Sequence, residues 1–198
     1  MKVCILMGSP HPVGNTASLS RLFVEALSQN GCAVSALALY NLDLRPCIGC
    51  RSCQEVHSGF GCPQPDDMKL VFDAVLACDL LVIASPIYSW YCTPPVKTVL
   101  DRLVYGMNKF YGEEKGPCLW EGKALALITT CGYPLEKGAD LWEEGMRRYA
   151  KHSRLRYMGM LAERHLGYDV PFLDKEKIAR ARAFAQTLLQ QLEPPEAK

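Results

Sequence analysis

Gly8-Ser9-Pro10-His11-Pro12-Val13-Gly14-Asn15-Thr16 is the stretch on which the fold turns. The apolar run Val3-Cys4-Ile5-Leu6-Met7 leads into it, and an amphipathic helix pattern starting near Thr16 leads out. A loop of Gly, Ser, Asn and Thr between a buried strand and a helix N-terminus is a ready anion site. Unpaired backbone N–H groups point outward there, and the helix dipole favours negative charge. The stretch predicts a loop that holds the phosphate of a cofactor, with the rest of the chain completing that cofactor's site.

Lys2–Met7 is almost wholly apolar, as a strand buried on both faces should be. The helix after the loop sets Leu19, Leu22, Phe23, Ala26 and Leu27 on one stripe and stops at Asn30-Gly31. Ala33–Leu39 reads as a second strand, followed by a loop without periodicity that carries Pro46, Gly59, Gly61, Pro63, Pro65 and several cysteines. Asp66-Asp67 are expected to open a helix whose core face is Met68, Val71, Phe72 and Val75. Asp79–Ala84 is a third strand that breaks at Ser85-Pro86. Thr93-Pro94-Pro95 predicts a cap and the first turn of a helix with the stripe Val96, Val99, Leu100, Leu103 and Val104. A fourth strand is expected over Lys123–Thr129 and a helix from about Glu136 to Lys151, weakened by Gly145. Leu155–Leu161 reads as the fifth strand. The last helix, from about Asp174 to Leu192, turns Ile178, Ala181, Ala185, Leu188 and Leu192 inward, and Pro194-Pro195 end the order.

Five strands alternating with five helices predict an α/β domain, a doubly wound five-stranded parallel sheet with helices on both faces. With neither an internal repeat nor a linker, residues 1–193 are expected to form one domain and 194–198 a disordered tail. Ligands of such sheets bind at the carboxyl ends of strands, where the strand order reverses. The loops expected to meet there are Gly8–Thr16, Ser85–Cys92 and Thr129–Tyr133.

The 198 residues are 49% hydrophobic and 22% charged with a formal net charge of +1. That is an ordinary globular composition with no general attraction to nucleic acid or anionic membrane. No apolar run approaches the roughly 20 residues that span a bilayer, and no signal-peptide pattern follows Met1. The expected location is the cytoplasm. Of the ten cysteines, Cys4, Cys32 and Cys78 sit in apolar runs and read as small buried hydrophobes. A disulfide framework is not expected in a reducing compartment.

The first loop differs from the familiar phosphate loops. Five residues, not four, separate Gly8 from Gly14, and Asn15 stands where a nucleotide triphosphatase loop carries lysine. The dinucleotide pattern Gly-x-Gly-x-x-Gly is also missing. Hydroxyls, an amide and backbone N–H groups without a fixed cation suit a single terminal phosphate such as that of FMN; taken alone, the stretch also reads as a turn that joins strand to helix. The second loop, Ser85-Pro86-Ile87-Tyr88-Ser89-Trp90-Tyr91, exposes three aromatics at a strand end, where they make a wall for a planar ring. Each taken singly also reads as a core or subunit contact. The third, Thr129-Thr130-Cys131-Gly132-Tyr133, sets a Gly where backbone can approach a ligand edge. His11 reads first as a loop surface residue, although a cation there would help hold phosphate; His57 reads as solvated.

The ordered set Gly8-Ser9-Pro10…Gly14-Asn15-Thr16, Ser85-Pro86-Ile87-Tyr88 and Lys97…Asp101-Arg102 resembles the NADPH-dependent FMN reductase and iron–sulfur flavoprotein group of the flavodoxin-like superfamily. So does Cys47-Ile48-Gly49-Cys50…Cys53…Cys62…Asp66-Asp67-Met68. The likeness covers residues 1 to about 135 by motif and the remainder by element order. It implies a flavodoxin-like fold, bound FMN, NADH or NADPH as electron donor, and a homodimer or homotetramer. Carried over by motif, Ser9, Asn15 and Thr16 bind the FMN phosphate, with His11 beside them and Gly14 allowing the turn. Ser85, Pro86, Ile87, Tyr88, Ser89 and Trp90 border the flavin, and Thr130, Cys131, Gly132 and Tyr133 lie on its other edge. The hydride passes between nicotinamide and flavin, so the cofactor carries the difficult chemistry and no side chain is nominated as general acid or base. Lys97 and Arg102 read equally as surface, interface or cofactor-contact residues.

Cys47-x2-Cys50-x2-Cys53 followed by Cys62-Pro63 is similar to the compact cysteine sets that hold [4Fe-4S] clusters. Its spacer between Cys53 and Cys62 is longer than the resembled group's. Zinc suits the spacing less, since structural sites present two separated pairs. A redox Cys-x-x-Cys would sit at a helix N-terminus, which this segment does not. The cluster and a metal-free loop of thiols packed as small apolar residues both remain open readings.

Two functions compete. One is an NAD(P)H oxidoreductase acting on a small-molecule electron acceptor such as a quinone, nitroaromatic or flavin. The other is an electron carrier that relays through FMN and a cluster. Carrier flavodoxins are strongly acidic for partner steering, and a net charge of +1 favours the enzyme. A phosphoacceptor domain of the same topology needs an acidic pair at the end of the first strand, and Met7-Gly8-Ser9 offers none.

Overall fold

The computed structural model of the chain describes residues 1–167 and 169–192. The expected domain end at 193 and the tail 194–198 lie outside the described residues. The strands are β1 (Lys2–Met7), β2 (Ala33–Ala38), β3 (Leu80–Pro86), β4 (Ala124–Cys131) and β5 (Arg156–Arg164). They form a single sheet in the order β2-β1-β3-β4-β5, every pair parallel. The helices are α1 (Asn15–Gln29), α2 (Met68–Ala77), α3 (Pro94–Met107), α4 (Leu135–Gly138), α5 (Asp140–His152) and α6 (Lys175–Leu192). This is the expected doubly wound α/β sheet. The chain turns back across β1, so the loops after β1 and β3 open at the point where the strand order reverses.

Alternation along the strands sorts the core into two layers. Val3, Ile5, Leu80, Val82, Ala124 and Ala126 face α1 and α6, where Leu19, Phe23, Leu27, Ala181, Ala185 and Leu188 cover them. Cys4, Leu6, Leu81, Ile83, Leu125 and Leu127 face the opposite way, under Met68, Val71 and Phe72 of α2, Val99 and Leu103 of α3, and Trp142 and Met146 of α5. Among the described residues no helix is long and apolar enough to cross a membrane.

The structure shifts several expected boundaries. β3 runs two residues past Ala84, because Ser85 and Pro86 pair in register with Thr129 and Thr130; Pro86 has no N–H to give the ladder, and the Ile87 N–H takes the Thr130 carbonyl just beyond it. β5 runs on to Arg164, carrying Glu163 indoors. That buried carboxylate is held by Arg180 in two hydrogen bonds of 2.6 and 3.0 Å. The single helix expected over 136–151 is two, α4 and α5, divided at Ala139. Its Gly145 answers to packing, since a Cβ there would stand 2.9 Å from the Tyr91 hydroxyl. Cys4 and Cys78 are buried as expected, whereas Cys32 is only half-buried.

Candidate functional site

The first loop is fastened before it reaches the helix. The Gly8 N–H donates to the Ala84 carbonyl at 2.7 Å, carrying the β1–β3 ladder one residue further. A Cβ on Gly8 would lie 2.2 Å from Val96 Cγ2, so only glycine lets the loop rest against α3. Thr93 stands at the expected N-cap of α3 but makes no side-chain cap bond. Pro94 and Pro95 have no N–H to cap, and the Thr93 hydroxyl instead donates to the Gly8 carbonyl at 2.7 Å. It ties two of the three loops together.

Gly14 is the N-cap of α1, and no side-chain hydrogen bond caps the helix. The first-turn N–H groups of Asn15, Thr16 and Ala17 therefore have no intrahelical partner and present the positive end of the dipole. Ser9 is buried beside them and its Oγ accepts the His11 N–H at 3.2 Å, while His11 itself is exposed. Asn15 is half-buried. Thr16 is buried, and its hydroxyl shares a 2.7 Å hydrogen bond with the Thr130 hydroxyl, joining the first loop to the third. Thr16→Val would leave the buried Thr130 hydroxyl without that partner. An unfolding free energy lower by about 1–3 kcal/mol is expected in urea titration, and an unchanged value would show that the bond contributes nothing.

Between the second and third loops, the Ile87 N–H donates to the Thr130 carbonyl at 2.8 Å. Tyr88 and Tyr91 exchange backbone hydrogen bonds of 2.8 and 3.0 Å around Ser89 and Trp90, whose φ values are +50° and +64°. Such a turn normally carries Asn-Gly, and two side chains in the left-handed region cost free energy. The strained turn holds Trp90 out. Trp90 stacks on Tyr133 with ring centroids 5.8 Å apart, and its Nε1–H donates to the Lys137 carbonyl at 3.1 Å. Tyr88, Trp90 and Tyr133 remain 43%, 47% and 60% exposed, a large apolar surface left at the strand ends.

Tyr91 does not join that surface as expected. It packs edge-on against Trp142 at 5.1 Å, in the room that Gly145 leaves. Ser85 and Cys131 also turn inward. The Ser85 hydroxyl donates to the Pro86 carbonyl and accepts the Thr93 N–H. Burial pushes the Cys131 thiol up from its ordinary value, and it donates to the Tyr133 carbonyl at 3.3 Å. Gly132 is exposed, with its carbonyl accepting from Arg164 at 3.0 Å. The three loops thus meet at one end of the sheet.

The cysteine segment builds a second feature. Cys47, Cys50, Cys53 and Cys62 all line one pocket of about 100 Å³, together with Arg102 and Tyr105. They do not pack as small core residues: Cys47 and Cys50 are exposed, Cys62 is half-buried and Cys53 alone is buried. The Cys50 thiol is held below its ordinary value by its hydrogen bond from Ser52, and burial pushes Cys53 up. Among the described residues, no three Cys, His, Asp or Glu side chains close on a single ion-sized point.

Arg102, which reads equally as a surface, interface or cofactor-contact residue, is neither exposed nor free. Its guanidinium forms a buried ion pair with Asp66, donates to the Arg45 carbonyl at 3.1 Å, and donates to Cys62 Sγ at 3.2 Å. Lys97 pairs with Asp101 on the surface at 2.6 Å. Lys109, a residue that gives no signal in the sequence, is wholly buried beside the pocket and donates to the carbonyls of Cys53 and Phe60. Burial pushes its ammonium down, against the opposing pull of the Cys53 and Cys62 thiols.

The family model for NADPH-dependent FMN reductase matches residues 1–140. An iron–sulfur flavoprotein of Methanocaldococcus jannaschii is 33% identical over 102 residues, covering 52% of this chain and 51% of its own. Another from Archaeoglobus fulgidus is 30% identical over 107 residues, covering 54% and 47%. The chain thus spans about half the length of the curated relatives it matches. Among solved structures, an NAD(P)H:quinone oxidoreductase from Methanothermobacter marburgensis superposes with a TM-score of 0.69 at 24% identity, covering 95% of this chain and 98% of that one. A Streptococcus pneumoniae flavodoxin gives 0.59 at 14%, covering 97% and 100%. At these identities the structural likeness speaks to the fold, which is flavodoxin-like.

Proposed function

The chain belongs to the NADPH-dependent FMN reductase family, and we propose that it is an FMN-dependent NAD(P)H oxidoreductase serving a small acceptor such as a quinone, a nitroaromatic or a flavin. The observation that carries this reading is the convergence of an uncapped helix N-terminus and an exposed aromatic wall at one sheet end. An anion cradle without a lysine, beside a flat apolar surface, fits a molecule with one phosphate and a planar ring. Bound there, FMN would supply the two-electron hydride-transfer chemistry that side chains lack.

The chain's own residues bind and orient. Ser9, Asn15 and the N–H groups of the first α1 turn take the phosphate, with the Gly14 turn and His11 at the rim. Thr16 acts through its bond to Thr130, and Thr93 through Gly8, to fix the spacing of the loops. Pro86, Ile87, Tyr88, Ser89 and Trp90 on one side, and Thr130, Gly132 and Tyr133 on the other, border the ring and keep water off it. In this reading the protein is cytoplasmic and homo-oligomeric. Adding NADPH or NADH anaerobically to the FMN-loaded protein is expected to bleach the flavin absorption, and a quinone to restore it. Flavin that stays oxidised with both nucleotides would contradict the activity.

A second reading rests on the cysteine pocket. Four thiols around one pocket, flanked by two buried cations, fit a [4Fe-4S] cluster held by Cys47, Cys50, Cys53 and Cys62. The curated relatives' names point the same way. A cluster there would supply one-electron chemistry beside the two-electron flavin, in an electron-transfer flavoprotein.

A further inference from the structure

We propose that Lys109 is the positioning residue of the four-cysteine site. Its ammonium folds the segment between Cys53 and Cys62 so that the fourth thiol joins the other three, and it supplies the fixed positive charge that a four-thiolate cluster calls for. The proposal rests on the cluster reading above.

Lys109 is 0% exposed, and its charge has no carboxylate partner among the described residues. Its ammonium donates to two carbonyls, those of Cys53 at 2.9 Å and Phe60 at 3.2 Å. A buried ammonium without an anion is expensive, so the position calls for a counter-charge close by. The ammonium's two hydrogen bonds run to the backbone arms that carry Cys53 and Cys62. Arg102 differs, because Asp66 already matches its charge. Lys109 is the uncompensated cation of the pair.

The two carbonyls also explain the long cysteine spacer. One belongs to the first cysteine of the spacer and the other lies two residues before the last, so a single ammonium clasps both arms. The fold-back is tight: Gly61 has φ +66°, and a Cβ there would stand 2.7 Å from Val56 Cβ and 3.2 Å from Cys53 Cα. Cys62 is thereby brought into the pocket that Cys47, Cys50 and Cys53 line. Lys109 itself is fixed by backbone hydrogen bonds, its N–H to the Pro117 carbonyl at 2.9 Å and its carbonyl from the Gly116 N–H at 2.7 Å. Cluster potential follows net charge and hydrogen bonding around the thiolates. A fixed cation at this place favours the more negative, reduced form and raises the potential.

The test is anaerobic reconstitution of the full chain with iron and sulfide, as the unsubstituted protein, Lys109→Met and Lys109→Gln, reading iron per chain and the midpoint potential. Methionine removes charge and donors together, whereas glutamine keeps amide donors without charge. The unsubstituted chain is expected to take up a full four-iron complement, and Lys109→Met several-fold less iron. Lys109→Gln is expected to assemble the cluster with its one-electron reduction constant lowered about tenfold, which is about 59 mV more negative. Iron bound equally by all three at one potential would overturn the role of Lys109 while leaving the cluster reading intact. No iron in the unsubstituted chain would overturn both. Should Lys109→Met lose its cooperative unfolding transition, the potential of Lys109→Gln decides.

Discussion

Replacing Ser9 and Asn15 together by alanine is expected to weaken FMN binding by about a hundred- to ten-thousand-fold. Each side chain offers the phosphate one charge-assisted hydrogen bond, worth about 1.5–3 kcal/mol, and about 1.4 kcal/mol is tenfold in affinity. No lysine or arginine within Gly8–Thr16 stands in for them. The fold should survive, because the loop is fastened elsewhere, through Gly8 to Ala84 and Thr93 and through Thr16 to Thr130. Fluorescence titration of flavin-free protein with FMN reads the affinity, and thermal unfolding reads the fold. Affinity within threefold of the unsubstituted chain would remove these side chains from the phosphate site.

The second large effect is expected at Asp66. Its carboxylate and the Arg102 guanidinium are each 1% exposed, and it also accepts the backbone N–H groups of Arg45 and Met68 at 2.9 and 3.3 Å. Asp66→Ala leaves a buried guanidinium without its counter-ion, a loss of about 3–5 kcal/mol in unfolding free energy. A urea titration showing less than about 1 kcal/mol would place the pair among inconsequential ones. The pH dependence has a definite sign. Burial pushes the Asp66 carboxyl up, but Arg102 and the two N–H groups outweigh it and hold it below its ordinary value. Its stabilisation is therefore complete above the unfolded value of about 3.9 and is lost as pH falls through the lower folded value. Asp66→Ala should lack that part of the acid-induced loss.

The sheet and its covering helices were legible because their residues repeat at fixed periods. Leu19, Phe23 and Leu27 lie under one face, Met68, Val71 and Phe72 under the other, as the stripes predict. The convergence of the three loops followed from the strand–helix alternation, which sets every strand's carboxyl end on one side of a parallel sheet. Features decided by long-range contacts were not legible. Ser85 and Pro86 extend a strand because Thr129 and Thr130 lie alongside. Tyr91 turns inward because a glycine 54 positions later makes room. Thr93 reads as a cap, but its hydroxyl goes to the Gly8 carbonyl across the loops. Lys109, between Asn108 and Phe110, has no local pattern that marks a buried cation, and only the folded cysteine loop gives it a role. The irregular segment between β2 and α2 has no period to read, although Asp66 and Asp67, expected only as helix openers, knit it to α2 through the N–H groups of Arg45 and Asp43.

In the proposed reading the loop Gly8–Thr16 and the aromatic wall beside it form one FMN site. Its most direct test is an anaerobic absorption spectrum of the purified chain, taken before and after adding FMN and removing what is not bound. Retained flavin absorption at one FMN per chain is expected, lost when Ser9 and Asn15 are both replaced. A colourless protein that takes up no added FMN would contradict it.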